Sequence, residues 1–324
     1  MNSEPGWDLY RSFHAVLREG SLSGAARALG LTQPSIARHI AALEEATGAA
    51  LFVRTQRGLA PTEAAQELRP YAELLAATAA ALLRTAEGGV GQVSGTVRIT
   101  ASDIVGSEHL PAILARLRAR HPQLTIELSL SNSVDDLLQR QADIAVRMVR
   151  PVQQALLARR IGCIPLGLHA HRDYLARRGV PASMEALGRH DLIGFDLETP
   201  PIRALVARYP QLARTAFALR TDSDIAQLSA IRAGFGIGVC QVPIAAAAPD
   251  LVRELEAEFQ VELEVWVVMH EDLRGNARCR AVFDALAEGL APLTRVLTGV
   301  GDVDIGCAAV AAVSGVEGGL PSPI

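Results

Sequence analysis

Gln33 and Arg38 carry the two side-chain types that can make paired hydrogen bonds to a base edge, glutamine to adenine and arginine to guanine. They sit in the run Thr32-Gln33-Pro34-Ser35-Ile36-Ala37-Arg38, followed by the small Ala41. Small outward side chains let a helix come close to a groove. Around this run lie four hydroxyls, Ser21, Ser23, Thr32 and Ser35, and two arginines, Arg54 and Arg57. Hydroxyls and guanidinium groups are suited to phosphate oxygens, which position a protein without reading sequence.

Such groups work only if short elements hold them. Leu22, Ala25, Ala26 and Leu29 recur at helical spacing, and Gly30-Leu31 turns the chain. Thr32 can cap the next helix, and Pro34 falls in its first turn, where a missing N–H costs nothing. Ile36, Ile40 and Leu43 form one apolar stripe, which leaves Gln33, Pro34, Ala37, Arg38 and Ala41 facing outward. An apolar helix with Leu9, Phe13, Val16 and Leu17 on one face precedes the pair and completes a three-helix core. After Gly48, Leu51-Phe52-Val53-Arg54 predicts a short strand and Arg57-Gly58 a turn, as in a wing. Thr62 then caps a further helix.

In this segment the chain resembles the LysR-type transcriptional regulators. The pattern is carried by Phe13, Ser21 with Ala25-Ala26, Thr32-Gln33-Pro34, Ile40 with Leu43-Glu44, and Gly48 with Leu51-Phe52, Arg54 and Arg57. One departure is Ala37, where that family usually has serine before the basic residue of its recognition helix. The resemblance implies a winged helix–turn–helix that reads double-stranded DNA at a dyad-symmetric site. It also implies a homodimer or homotetramer and RNA polymerase as a partner. Gln33 and Arg38 would read base edges, with Pro34 in apolar contact. Ser21, Ser23, Thr32, Ser35, Arg54 and Arg57 would position on the backbone.

From Thr62 to Glu87, alanines and leucines at 65, 68, 72, 75, 79, 82 and 86 form a long stripe that cannot bury itself, interrupted by Pro70, which predicts a kink. We read it as a dimer seam. Gly88–Gly91 ends it, and the rhythm then changes. Strands are expected at 96–101, 124–130, 143–147, 192–195, 217–221, 236–242 and 264–269. Helices are expected at 110–120, 134–140, 224–233 and 277–289. That alternation predicts parallel βαβ units. Leu110-Pro111, Asp143-Ile144-Ala145 and Ala233–Gly236 resemble the same family's effector domain, which implies a periplasmic-binding-protein-like pair of α/β lobes. The expected architecture is therefore α/β overall. An N-terminal all-α winged helix–turn–helix spans 1–61, a linker and dimerisation helix 62–87 and a linker 88–95. The effector-binding α/β domain covers 96–293 and a flexible tail 294–324.

Ligands of α/β lobes bind at strand carboxyl ends near helix starts. Those positions are Thr100, Ser102, Ser131, Asn132, Arg147, Phe195, Thr221 and Ser223. Hydroxyls with Arg147 suit a small polar effector, a carboxylate being one candidate, although helix capping also explains each hydroxyl singly. Asp222 would repel an anion there, and could instead hold an amino group or cap the next helix.

Composition limits the alternatives. The 324 residues carry 31 basic and 35 acidic side chains, a net charge of −4, so the chain as a whole is no general polyanion binder. Every basic residue besides histidine is arginine, which with the abundant alanine we read as genome composition. Four dispersed cysteines, an N-terminus without signal-peptide character and no membrane-length apolar run predict a cytoplasmic protein. No cofactor is expected. Gly234-Phe235-Gly236-Ile237-Gly238 follows a helix and precedes a strand, the reverse of a dinucleotide loop. His169-Ala170-His171 has no third metal ligand at a supportive spacing, and Asp135-Asp136 suits a helix start. No catalytic constellation emerges. A transporter's solute-binding protein, or a small-molecule enzyme fused to a DNA-binding module, would share the α/β lobes but not this combination.

Overall fold

The computed structural model describes residues 4–55, 58–86, 93–132, 142–151 and 156–294. Arg57, Gly88–Gly91, the helix expected at 134–140 with Asp135 and Asp136, and the tail from Leu297 lie outside them. The chain packs as two units.

The first unit contains α1 (Trp7–Glu19), α2 (Leu22–Leu29), α3 (Gln33–Thr47), β1 (Phe52–Thr55), β2 (Gly58–Pro61) and α4 (Glu63–Ala86). Local signals set most of these boundaries. The Ser21 hydroxyl accepts from Gly24 N at 3.1 Å and the Thr32 hydroxyl from Ser35 N at 3.3 Å, satisfying donors that a helix start leaves open. Gly30 and Gly48 end α2 and α3 at φ 66° and 71°, left-handed values that a β-carbon disfavours. Phe13, Val16, Ala25, Ile36, Ile40, Leu43 and Leu51 close the core, with Leu9, Leu17 and Leu22 packed against it. Glu44 is structural rather than a surface charge: its Oε1 accepts from Leu51 N at 2.7 Å and Phe52 N at 3.3 Å, tying α3 to the wing. The Thr62 hydroxyl donates to Ala50 O at 2.8 Å and accepts from Ala65 N at 3.2 Å.

Helix α4 is continuous through Pro70. Its first turns supply Ala65, Leu68 and Ala72 to the core. Tyr71, Leu74, Leu75, Leu82 and Leu83 are exposed, so the stripe is packed at Ala65, Leu68 and Ala72 and uncovered at Leu75 and Leu82.

The second unit runs β3 (Gly95–Ala101), α5 (Leu110–Arg120), β4 (Leu124–Leu130), β5 (Ile144–Arg147), β6 (Leu156–His171), α6 (Arg172–Arg178) and β7 (Leu192–Gly194). It continues through α7 (Pro200–Arg208), β8 (Phe217–Arg220), α8 (Asp224–Arg232), β9 (Gly238–Gln241), α9 (Val242–Ala246), β10 (Leu251–Glu254), β11 (Val261–His270) and α10 (Ala277–Leu290). The main sheet has the order β10-β6-β11-β5-β3-β4, with β9 also on β6. Strand β3 is parallel to β4 and β5, as expected, but β6, β9, β10 and β11 pair antiparallel, so the sheet is mixed. The strand of 16 residues, β6, was not anticipated. Its Pro165 faces β11 on one side, while β9 pairs only from Leu166 onward, so the missing N–H is tolerated where one flank is open.

Strands β6 and β11 run through both lobes. Ile164, Val265 and Val267 join the first core with β3, β5, α5 and α10. Leu168 and Ala170 join the second, with Leu192, Phe217 and Ile237. Before α5, Val105–His109 forms a single wide turn in which Leu110 N donates to Val105 O. Pro111 offers no N–H to complete a regular turn there, and such widened turns gather at functional sites.

The glycine run behaves as a helix end leading into a strand. Gly234 has φ 71°, and a β-carbon on Gly236 would lie 1.9 Å from Asp191 O. Gly236→Ala is therefore expected to cost about 1–3 kcal/mol, the usual range for overpacking. A thermal unfolding scan checks this, and an unchanged midpoint would mean that the Asp191 segment yields freely.

Candidate nucleic-acid interface and ligand cavity

Helix α3 presents two faces of different character. Ile36, Ile40 and Leu43 are buried, while Gln33, Pro34, Arg38 and Ala41 are exposed and Ser35 and Ala37 half-buried. The Ser23 hydroxyl donates to Gln33 Oε1 at 3.3 Å, linking α2 to α3 and leaving the Gln33 NH2 group turned outward. Thr32 Oγ1 lies 2.8 Å from Ser35 Oγ, so both hydroxyls sit at the mouth of the helix start. Ser21 is half-buried in its capping role, and Arg54 is exposed on β1. On the core side, Ser12 Oγ meets His39 Nδ1 at 2.7 Å, fixing α3 against α1. The structure thus gathers Ser21, Ser23, Thr32, Gln33, Pro34, Ser35 and Arg38 around α2 and α3, with Arg54 on the wing. Arg57 lies outside the described residues.

In the second unit a cavity of about 510 Å³ opens between the lobes. Of the residues expected at strand ends, Ser102, Asn132, Arg147 and Phe195 line it. Four others do not. Thr100 is buried and receives Arg147 Nη2 at 3.2 Å, so it braces the arginine instead. Ser131 N donates to Ala101 O. Ser223 caps α8, accepting from Ala226 N at 3.3 Å. Thr221 Oγ1 accepts from Ser223 N at 3.2 Å, and its carbonyl accepts from Gln227 Nε2 at 2.8 Å. Capping, the ordinary alternative for such hydroxyls, is what Ser223 does.

Asp222 points elsewhere as well: its Oδ1 accepts from Asp196 N at 3.0 Å and Leu197 N at 2.9 Å, pinning the chain before α7. It therefore neither faces the cavity nor caps α8. The acid that lines the cavity is Asp224, joined by Gln227 and Gln241. Burial pushes the Asp224 carboxyl above its ordinary range; the Asn132 hydrogen bond opposes this and the charge of Asp103 adds to it. Asn132 bridges the two, its Oδ1 accepting from Asp103 N and its Nδ2 donating to Asp224 Oδ2, both at 3.2 Å. Apart from these polar groups and Cys240, the wall is apolar, with Ile104, Ile202, Leu228, Ile244 and Val261 among its members. The polar character anticipated for the site thus occupies only part of its lining.

Among the described residues, three polar pairs cross between the lobes beside this space. They are Asn132 with Asp224, His109 Nε2 with Gln241 Oε1 at 2.7 Å, and Glu108 with Arg232 through two contacts of 2.6 and 2.9 Å. The Arg232 guanidinium holds the Glu108 carboxyl below the usual carboxylate range.

His169 and His171 serve the fold. His169 is buried, its Nδ1 2.9 Å from Gly167 O and 3.3 Å from Cys240 Sγ. Burial lowers its pKa to about 4 and raises that of Cys240 to about 12, which leaves a neutral imidazole beside an inert thiol. His171 caps α6. Among the described residues no His, Cys, Asp or Glu group could hold a metal ion, and no helix is long and apolar enough to cross a membrane.

Sequence comparison agrees with both halves of this architecture. Residues 7–66 match the family described as bacterial regulatory helix-turn-helix protein, lysR family, and residues 90–291 match the LysR substrate binding domain. The regulator PgrR of Escherichia coli K12 is 28% identical over 189 residues, covering 58% of this chain and 63% of PgrR. The chain thus spans less than two thirds of that relative. The mau operon transcriptional activator of Paracoccus denitrificans is 29% identical over 299 residues, covering 88% of this chain and 98% of that protein. In structure, full-length CbnR, solved with its target DNA, superposes with a TM-score of 0.62 at 19% identity, over 88% of this chain and 99% of CbnR. These relatives are regulators, not enzymes. A lysR-type helix–turn–helix followed by a two-lobed LysR substrate-binding domain makes this chain a member of the LysR family.

Proposed function

We propose that this chain is a cytoplasmic, sequence-specific transcription regulator that binds double-stranded DNA and answers to a small molecule held between its α/β lobes. The observation that carries the reading is the divided surface of α3. Its core side is locked by Ile36, Ile40 and Leu43, and its free side offers Gln33, Pro34 and Arg38. In this reading α3 enters the major groove and Arg38 takes a guanine edge, while the Gln33 NH2 group donates to a base acceptor. Ser21, Ser23, Thr32, Ser35, Arg54 and Arg57 meet phosphates. The structural neighbour CbnR, solved with its target DNA, supports DNA as the partner.

Residues 1–61 form the DNA-binding domain in this proposal, 62–87 the dimerisation helix, 88–95 a linker, 96–293 the effector domain and 294–324 a tail. Dimers or tetramers joined through α4 read a dyad-symmetric site, with RNA polymerase as the downstream partner. The ligand is amphiphilic, with an apolar body against the cavity wall and a polar head at its hydrogen-bonding residues. It acts only through different affinities for two arrangements of the lobes.

Titration of labelled operator variants over several salt concentrations tests the assignment. Arg38→Ala is expected to cost about 1–3 kcal/mol at the specific site and to relax base preference. Arg54→Ala is expected to weaken all sequences alike and to flatten the salt slope by about one unit. Identical behaviour of the two variants across the panel would remove the division between reading and positioning.

A further inference from the structure

Among the described residues, the cavity lining contains one carboxylate, Asp224. Asp224 stands at the first position of α8, where an acid has an ordinary use against the helix dipole. That use does not account for its placement in the wall of a largely apolar cavity. Its hydrogen-bond partner is the neutral Asn132, and among the described residues no arginine or histidine pairs with it. The Asn132 amide cannot turn away without loss, because its oxygen is engaged by Asp103 N and its nitrogen must then face Asp224. The second nearby charge, Asp103, is also negative and contributes to the upward shift of the Asp224 carboxyl.

Two arginines stand nearby, and Arg147 is the one that lines the cavity. Arg232 lies in a two-point pair with Glu108. Arg147 is only 4% exposed, and its guanidinium donates to Thr100 Oγ1 and Val146 O. A carboxylate entering beside Asn132 would meet Asp224 with Asp103 behind it. An ammonium group would meet an anion there and form a charge-assisted hydrogen bond with it.

We propose that the cavity selects an organic amine: a molecule with an apolar, drug-sized body against Ile104, Ile202, Leu228 and Ile244 and a protonated amino group on Asp224. This rests on the reading of the cavity as the effector site and names the chemistry of the head group. A volume of about 510 Å³ lies within the range of pockets that enclose such ligands.

Isothermal titration of the full chain with three probes sharing one body, 4-phenylbutylamine, 4-phenylbutan-1-ol and 4-phenylbutanoate, tests it. The amine is expected to bind at least about tenfold more tightly than the alcohol, and the carboxylate most weakly, in line with a charge-assisted contact. Asp224→Asn is expected to bring the amine down to the level of the alcohol. Should that variant not fold, the rank order of the three probes on the natural protein still decides. Equal binding of all three, or tightest binding of the carboxylate, overturns the amine proposal and keeps the cavity as a ligand site. Binding of none at millimolar concentration overturns both.

Discussion

Replacing Leu82 and Leu83 together by glutamate is expected to turn the protein into monomers and to lower its affinity for a two-half-site operator by about 10²–10⁴-fold, the avidity that linking two modules confers. The two leucines are 67% and 63% exposed on α4, past the last turn that packs into the helical core at Ala72. Each buried leucine contributes about 1.5–3 kcal/mol. A two-fold pairing would bury four of them, with Leu75 and Leu74 extending the seam. Glutamate in their place would put like charges across the axis and leave the core untouched, so loss of affinity could be assigned to assembly. Sedimentation velocity beside DNA titration is the check. A variant that remains dimeric and binds its operator normally would place the seam on another surface.

Phe13→Ala is expected to remove about 3–5 kcal/mol from the DNA-binding unit. Phe13 is 1% exposed, and its ring sits 5.8 Å from that of Phe52, so it joins α1 to the wing strand. A small domain has only about 5–15 kcal/mol of stability in total. Each kcal/mol lost moves the unfolding midpoint of a domain this size by about 4–8 °C. Calorimetry should therefore show the first unit melting far earlier while the second keeps its transition, and DNA binding should fall with the first. A single transition that shifts as a whole would show that the two units unfold together. An unshifted first transition would mean that the core closes over the gap.

The helix–turn–helix was legible because its determinants are local. A cap at Ser21, Thr32 or Thr62 depends on an N–H three residues away. The stripe of Ile36, Ile40 and Leu43 follows from the helical period alone. Within four residues of chain there is little for tertiary structure to override. The role of Glu44 escaped because its partners are backbone donors seven and eight residues on, across a turn.

The effector half was legible in its elements and not in its cavity. Strand β6 could not be recognised from a segment containing Gly162, Pro165 and Gly167, because strand formation there depends on β9, β10 and β11, up to about a hundred residues later. Asp222 and Asp224 show the limit most clearly. Two residues apart and identical in chemistry, they differ because one meets the backbone at Asp196 and Leu197 while the other meets Asn132, 92 positions earlier. Sequence by itself determined the winged module, the outward residues of α3 and the α/β alternation, all consequences of capping, periodicity and turn chemistry. Only the tertiary structure decided which strand-end residues face the cavity and which cap helices. Burial and charge environment are set by chain segments that meet in space and leave no local trace.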